Sequence, residues 1–212
     1  VVENLSFRYR TREELAIRDL SFCLEPGELM LIAGASGCGK TTLMRCINGL
    51  IPRTYRGEMQ GSIQVFGRSV LEMTMAELSQ TIGTLLQDPE RQIVGSHVLS
   101  EVAFGLENLG MPREEILERV DQTLEFLGIK HLRDRETFST SGGEKQKIAL
   151  AGVLAMQPRI LLLDEPLASL DPASAHEALH LFRQLADQGI AVMIVEHRVE
   201  DVLAVKPDKV LY

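Results

Sequence analysis

The sequence has no surplus of basic residues: 22 Lys and Arg stand against 30 Asp and Glu, for a net charge of -8. That balance argues against a broad electrostatic footprint for nucleic acid, which is not expected as a partner. Long apolar runs are also missing. Ile148 to Met156 and Ile190 to Val195 fall well short of the roughly 18 to 20 residues needed to span a bilayer, so any membrane association has to go through another protein. Cysteine is scarce. Cys23, Cys38 and Cys46 show neither metal-ligand spacing nor an even disulfide count, which suits a reducing, cytoplasmic compartment, with Cys23 and Cys46 expected as small buried residues. There is no internal repeat, low-complexity tract or heptad run. No signal peptide opens the sequence, which begins at Val1 and stops at Tyr212 in a strand-like run, so a domain trimmed at both ends is expected.

What is present is an ordinary globular composition, 212 residues at 45% hydrophobic, enough for one domain with a sub-domain or two small ones. Apolar and β-branched runs predict strands at Val2 to Tyr9, Leu20 to Leu24, Leu29 to Ala33, Ser62 to Phe66, Ile82 to Leu86, Ile160 to Leu163, Ile190 to Val195 and Lys209 to Tyr212. Helical spacing of Ile116, Leu117, Val120, Leu124 and Leu127, ahead of Gly128, predicts a helix over 113–127, joined by another over Val98 to Leu109. Strand signals vanish from about 98 to 156 and return with Ile160. The expected fold is therefore α/β, with a helical sub-domain at about 96–156 inserted into a core made of about 1–95 and 157–212.

Three motifs carry chemistry. Gly34-Ala35-Ser36-Gly37-Cys38-Gly39-Lys40-Thr41 fits G-x-x-x-x-G-K-[ST], follows an apolar strand and precedes a helical pattern from Thr41 through Thr42 to Leu50. Glycines let backbone N–H groups wrap phosphates, Lys40 reaches the β/γ-phosphates and the Thr41 hydroxyl ligates magnesium. Next, the strand Ile160 to Leu163 ends in Asp164-Glu165-Pro166. In a parallel sheet this places Asp164 where it can hold Mg2+ and Glu165 where it can deprotonate the attacking water. Finally, Ser141-Gly142-Gly143-Glu144-Lys145-Gln146 reads as a capping box, Ser-x-x-Glu, at the start of a helix, with two glycines that let a backbone or a phosphate approach.

Together these segments resemble the ATP-binding cassette ATPases, the nucleotide-binding subunits of membrane transporters, over essentially the whole chain. Ser141-Gly142-Gly143-Glu144 resembles the family signature, Ser169-Leu170-Asp171 the D-loop, Gln87 the Q-loop glutamine and His197 the switch histidine. Phe7-Arg8-Tyr9 resembles the A-loop, whose ring stacks on adenine; a strand aromatic packed in the core is the other reading of Tyr9. The resemblance implies a phosphate-loop NTPase core with a mostly parallel sheet, an antiparallel β sub-domain near the N-terminus and the inserted helical sub-domain. It also implies ATP and Mg2+ as ligands, with Tyr9 and residues 34–42 binding ATP and with Thr41, Gln87 and Asp164 organising the metal. Lys40, Gln87, Glu165 and His197 would be catalytic. Two such ATPases, identical or paralogous, close head to tail, so Ser141 and Gly143 would serve the partner's ATP.

A narrower likeness lies outside the catalytic motifs. Gln87-Asp-Pro-Glu-Arg-Gln92, Ser100-Glu-Val-Ala-Phe-Gly105, Glu107-Asn-Leu-Gly-Met-Pro112 and Val195-Glu-His-Arg198 resemble the ATPases of energy-coupling factor transporters, importers of vitamins and transition-metal ions. This implies a place on the inner face of the membrane, a transmembrane coupling subunit meeting the region after Gln87, and a substrate-binding subunit reached indirectly. Thr140, where the signature usually has leucine, and Glu144, where it more often has glutamine, depart from the pattern. A carboxylate there would repel a γ-phosphate unless it folds back to the Ser141 backbone. Within the family, a soluble ATPase acting on nucleic acid or ribosomes is the alternative. Outside it, His176-Glu-Ala-Leu-His180 matches H-E-x-x-H, with Glu200 as a conceivable third zinc ligand, and the phosphate loop alone would also suit a small-molecule phosphotransferase.

Overall fold

The computed structural model describes all 212 residues and gathers the most apolar runs into one sheet. Strands β3 (Leu29–Ile32), β6 (Ile82–Leu85), β7 (Ile160–Asp164), β8 (Ala191–Val195) and β9 (Lys209–Leu211) lie in the order β6-β7-β8-β3-β9, every pairing parallel. Side chains alternate across a strand, so this sheet feeds two cores. Leu29, Leu31, Leu161, Leu163, Val192 and Ile194 face a cluster built with the helices, whereas Met30, Ile32, Leu162, Met193 and Val195 face the second sheet.

That second sheet is antiparallel, β2-β1-β4-β5, made of β1 (Val2–Tyr9), β2 (Ile17–Phe22), β4 (Gly57–Val65) and β5 (Arg68–Ser69). β2 and β4 begin earlier than their apolar runs suggest, and β5 carries almost no sequence signal. In each case the β1 or β4 backbone supplies the pairing, as in Phe7 with Ile17, Tyr9 with Gly57 and Val65 with Arg68.

Helices fill the connections: α1 (Lys40–Ile47), α2 (Leu50–Arg53), α3 (Met75–Thr81), α4 (Pro89–Gln92), α5 (Val98–Asn108), α6 (Arg113–Phe126), α7 (Gly142–Leu154), α8 (Pro172–Asp187) and α9 (Val199–Ala204). No helix is long and apolar enough to cross a membrane. Between residues 98 and 154 the structure is built of α5, α6 and α7, with the 113–127 helix where its periodicity predicts; the stretch from Leu127 to Ser141 holds only turns and two short 3-10 pieces, and a bridge between His97 and Glu136 ties the block's entry to the approach to α7. The block has no core of its own: Val102, Leu106, Val120, Leu124 and Ile148 share one cluster with β7 and β8.

Sheet order decides where the chemistry goes. β7, β8 and β3 are neighbours, so the turns at their carboxyl ends, and the residues that follow, meet along one edge. Glu165 donates its N–H to the Val195 carbonyl at 2.8 Å, and Glu196 donates its own to Ile32 at 3.4 Å.

Candidate nucleotide site

At that edge the loop after β3 turns into α1. Gly34, Gly37 and Gly39 all have positive φ, and a Cβ on Gly39 would lie 2.2 Å from the Ala16 carbonyl oxygen, so the loop passes too close to the β1–β2 connection for any other residue. The Lys40 ammonium is buried and donates to the Gly34 and Ala35 carbonyls at 2.8 and 2.9 Å, which ties it across the loop. Ser36 to Thr42, Tyr9, Gln87, Glu165 and His197 line one cavity of about 700 Å³. Its floor is a helix N-terminus, where free N–H groups and the dipole favour an anion.

Tyr9 reconciles both readings of it. Its ring packs edge-on against Phe7, centroids 4.8 Å apart, and its hydroxyl lies 3.0 Å from the Thr42 hydroxyl, while the half-buried ring still faces the cavity.

The carboxylates at the end of β7 diverge because Glu165 takes a left-handed backbone, φ 48°. Asp164 points inward and is 8% exposed; one of its oxygens, Oδ1, is buried with no hydrogen-bond partner. Burial pushes its carboxyl above the ordinary range, with the Thr41 hydroxyl opposing the shift. A buried, unpartnered carboxylate oxygen beside a hydroxyl fits a hard divalent cation such as Mg2+, and Thr41, Gln87 and Asp164 line a common pocket.

Glu165 faces the other way and is held by two separate segments. The Gln87 amide donates to Oε2 at 2.7 Å, and His197 Nε2 lies 3.1 Å from Oε1. Since Gln87 spends its nitrogen on Glu165, its oxygen is the atom left for a cation.

The signature segment lies elsewhere: none of Ser141, Gly142, Gly143 or Glu144 lines the 700 Å³ cavity. Ser141 and Gly142 are exposed at the start of α7. The capping box forms: the Ser141 hydroxyl accepts from the Glu144 N–H at 3.3 Å, and Glu144 Oε2 accepts from the Ser141 N–H at 2.7 Å. Those bonds, with Arg135 nearby, hold the Glu144 carboxyl below its usual range. Thr140 is buried and donates its hydroxyl to the Thr137 carbonyl at 2.6 Å, an inward polar contact in place of leucine's apolar one. In the D-loop segment Ser169 is exposed, and Asp171 caps α8 by accepting from the Ala173 and Ser174 N–H groups.

Of the two cysteines expected to be buried, one is not, and the rival zinc reading fails. Cys23 is half-buried and donates its thiol to Glu25, whereas Cys46 is buried and its thiol is pushed up to about 12 by desolvation. His176 and His180 bring their Nε2 atoms within 2.9 Å on an exposed face of α8, yet no group of three His, Cys, Asp or Glu side chains comes together anywhere, so Glu200 does not complete a zinc triad. Sequence reasoning also missed four connecting residues. Lys145 donates to Glu90, Gln146 donates to the Pro166 carbonyl, and Glu196 and Arg198 reach the turn after Glu165. For Glu196 a signal existed, an acid directly after a wholly apolar strand.

Comparison with known proteins identifies the family. A family profile described as ABC transporter matches residues 17–168. A putative ABC transporter ATP-binding protein of Lactiplantibacillus plantarum is 43% identical over 99% of this chain and 37% of its own length. The putative HMP/thiamine import ATP-binding protein YkoD of Bacillus subtilis is 42% identical over 94% of this chain and 37% of its own length. The chain thus spans well under half the length of these curated relatives. Among solved structures, cbiO1 of Clostridium perfringens, described as part of the ABC transporter complex cbiONQ, superposes with a TM-score of 0.88 at 33% identity, covering 99% of this chain and 82% of that one. A family profile over most of the chain, relatives 42–43% identical along nearly all of it and a shared fold show that the chain belongs to the ABC transporter family as an ATP-binding domain.

Proposed function

We propose that this chain binds ATP with Mg2+ and hydrolyses it to power an importer of the energy-coupling factor type. The observation that carries the reading is the double hold on Glu165 by Gln87 and His197, which come from segments far apart in sequence and meet only beside the phosphate loop. In the proposed reaction the oxygen of water bonds to the γ-phosphorus, the bond from that phosphorus to the β–γ bridging oxygen breaks, and Glu165 takes the water's proton. Lys40 and the loop N–H groups hold the phosphates, Tyr9 meets the adenine, and His197 steadies the γ-phosphate side. Mg2+ held by Thr41, Gln87 and Asp164 would neutralise phosphate charge.

A second ATPase domain supplies the other half of the site. The 96–156 block would act as the arm that carries Ser141 and Gly143 to the partner's nucleotide, so closure follows ATP binding and opening follows loss of the γ-phosphate. A groove of about 360 Å³ lined by Leu50, Met75, Phe104 and Met156, with Val94 at its rim, supports docking of a transmembrane coupling subunit next to the segment after Gln87. Phe104 is 49% and Val94 66% exposed there. In this reading the chain sits on the inner face of the membrane and reaches a substrate-binding subunit only through its partners. The HMP/thiamine import named for one relative supports a vitamin-type cargo, and the cbiONQ transporter complex named for the solved neighbour supports work within a multi-subunit transporter.

The test is complementation. Full-length Lys40→Ala and Ser141→Arg proteins, each unable to hydrolyse ATP alone, are expected to recover hydrolysis when mixed, because one composite site is then intact. Mixed activity no higher than either variant alone would reject the head-to-tail arrangement.

A further inference from the structure

The turn that carries Glu165 and the turn that carries His197 are strapped together by a carboxylate with no role in the reaction above. Glu196, the residue after β8, is only 2% exposed. Its Oε1 accepts from the N–H groups of His197 at 2.8 Å and Arg198 at 3.3 Å, which is local turn capping. Its Oε2 reaches 29 residues back and accepts the Leu167 N–H at 3.1 Å, in the turn immediately after Glu165-Pro166. The two oxygens therefore bind two different loops. Arg198 repeats the connection from the other side, with Nη1 3.4 Å from the Leu167 and Leu170 carbonyls. Gln146, on the signature helix α7, donates to the Pro166 carbonyl in that same turn.

We infer that Glu196 is a positioning residue: by bridging the two turns it sets the separation of Glu165 and His197, and thereby the placement of the attacking water, without touching nucleotide. A cap serving only α9 would need Oε1 alone. Both acceptor oxygens are required, because an uncharged amide of the same shape would turn an NH2 group toward one of these backbone N–H donors and break one side of the bridge. The inference rests on the ATPase reading above, and it leaves ATP binding to the phosphate loop.

The test compares full-length wild type, Glu196→Gln, His197→Ala and the double variant, reading kcat per bound nucleotide and KM for ATP. Glu196→Gln is expected to lower kcat by about 10- to 100-fold with KM within about twofold, because small misplacements of reacting groups cost rate before affinity. In the His197→Ala background the same change is expected to have little further effect, since the geometry it serves is already lost. Normalising to bound nucleotide removes any misfolded fraction; a merely structural role would lower the number of binding sites and leave kcat per site unchanged, which overturns the inference. A full multiplicative loss on top of His197→Ala overturns it too. Wild-type protein that binds ATP and Mg2+ without hydrolysing it overturns the ATPase reading itself, a failure distinct from a wild type that hydrolyses and a Gln variant that matches it.

Discussion

The phosphate end and the signature end of this domain are built on opposite plans. At the phosphate end, Lys40, Gln87, Glu165 and His197 arrive on four separate segments, and the geometry exists only because β3, β8 and β7 lie side by side. Key groups there, Lys40 and Asp164, are buried, and one Asp164 oxygen lacks any partner. At the signature end, a single local turn supplies everything: Ser141 and Glu144 satisfy each other and face solvent. The first plan stores unmet bonding capacity inside the fold. The second leaves its free N–H groups at a helix tip, pointed at nothing in its own chain. A site that holds its ligand alone belongs with the first plan, and a surface awaiting a partner belongs with the second.

Variants can break that contrast. Glu165→Gln is expected to have the largest effect, lowering ATP hydrolysis by about 10² to 10⁴-fold while ATP still binds, and an ATP-bound pair should accumulate on gel filtration. Hydrolysis at the wild-type rate would remove Glu165 from its role and make the buried end a binding site only. Tyr9→Ala is expected to raise KM for ATP by about 5- to 100-fold through lost stacking on the base, whereas Tyr9→Phe, which loses only the hydroxyl's contacts with Thr42 and Arg45, should change KM by far less. An unchanged KM in Tyr9→Ala would return Tyr9 to the core.

Asp164→Asn tests the stored cost directly. Without metal the variant should be more stable than wild type by about 1 kcal/mol, or about 2 to 4 °C in Tm, because it removes a poorly solvated carboxylate. The sign of the pH dependence follows. A folded-state pKa raised above the unfolded one favours the folded protein at low pH, and that contribution is lost as pH rises through the folded value, so the variant's advantage should widen from acid to neutral pH. Mg2+ with ATP should then reverse the ranking, stabilising wild type by about 2.7 kcal/mol at a hundredfold excess over Kd and the variant by less. Calorimetry with and without chelator reads both arms.

The same contrast explains how much was legible beforehand. Motifs that are contiguous, Gly34 to Thr41, Asp164-Glu165 and Ser141 to Glu144, announce themselves, and so do strands buried on both faces such as β7 and β8. Helix α6 follows from its period, and the start of α7 from its capping box. What sequence could not show depends on adjacency. Lys145 with Glu90, Gln146 with Pro166 and Glu196 with Leu167 join segments 20 to 55 residues apart, and even where a local pattern marks one member, as the acid after β8 marks Glu196, nothing in the sequence names the other. Strand β5 likewise exists only because β4 is there to pair with it. The H-E-x-x-H match shows the converse: correct local spacing on α8 brought two histidines together but no third ligand.

The smallest expected effect sharpens the signature end. In the head-to-tail pairing proposed above, a carboxylate at Glu144 would repel the partner's γ-phosphate, yet the structure turns it back onto the Ser141 N–H. Its pKa is lowered by that N–H and by the Ser141 hydroxyl, so it contributes stability above the ordinary carboxylate range that disappears as pH falls through the folded value. Gln also forms this capping box, so Glu144→Gln should cost only about a few tenths of a kcal/mol at neutral pH, and the two proteins should converge in acid. KM for ATP in the assembled pair should not move. If instead KM drops several-fold in the Gln variant, the carboxylate does face the partner's phosphate in the closed state, and the signature end is not the self-contained cap it is in the free chain.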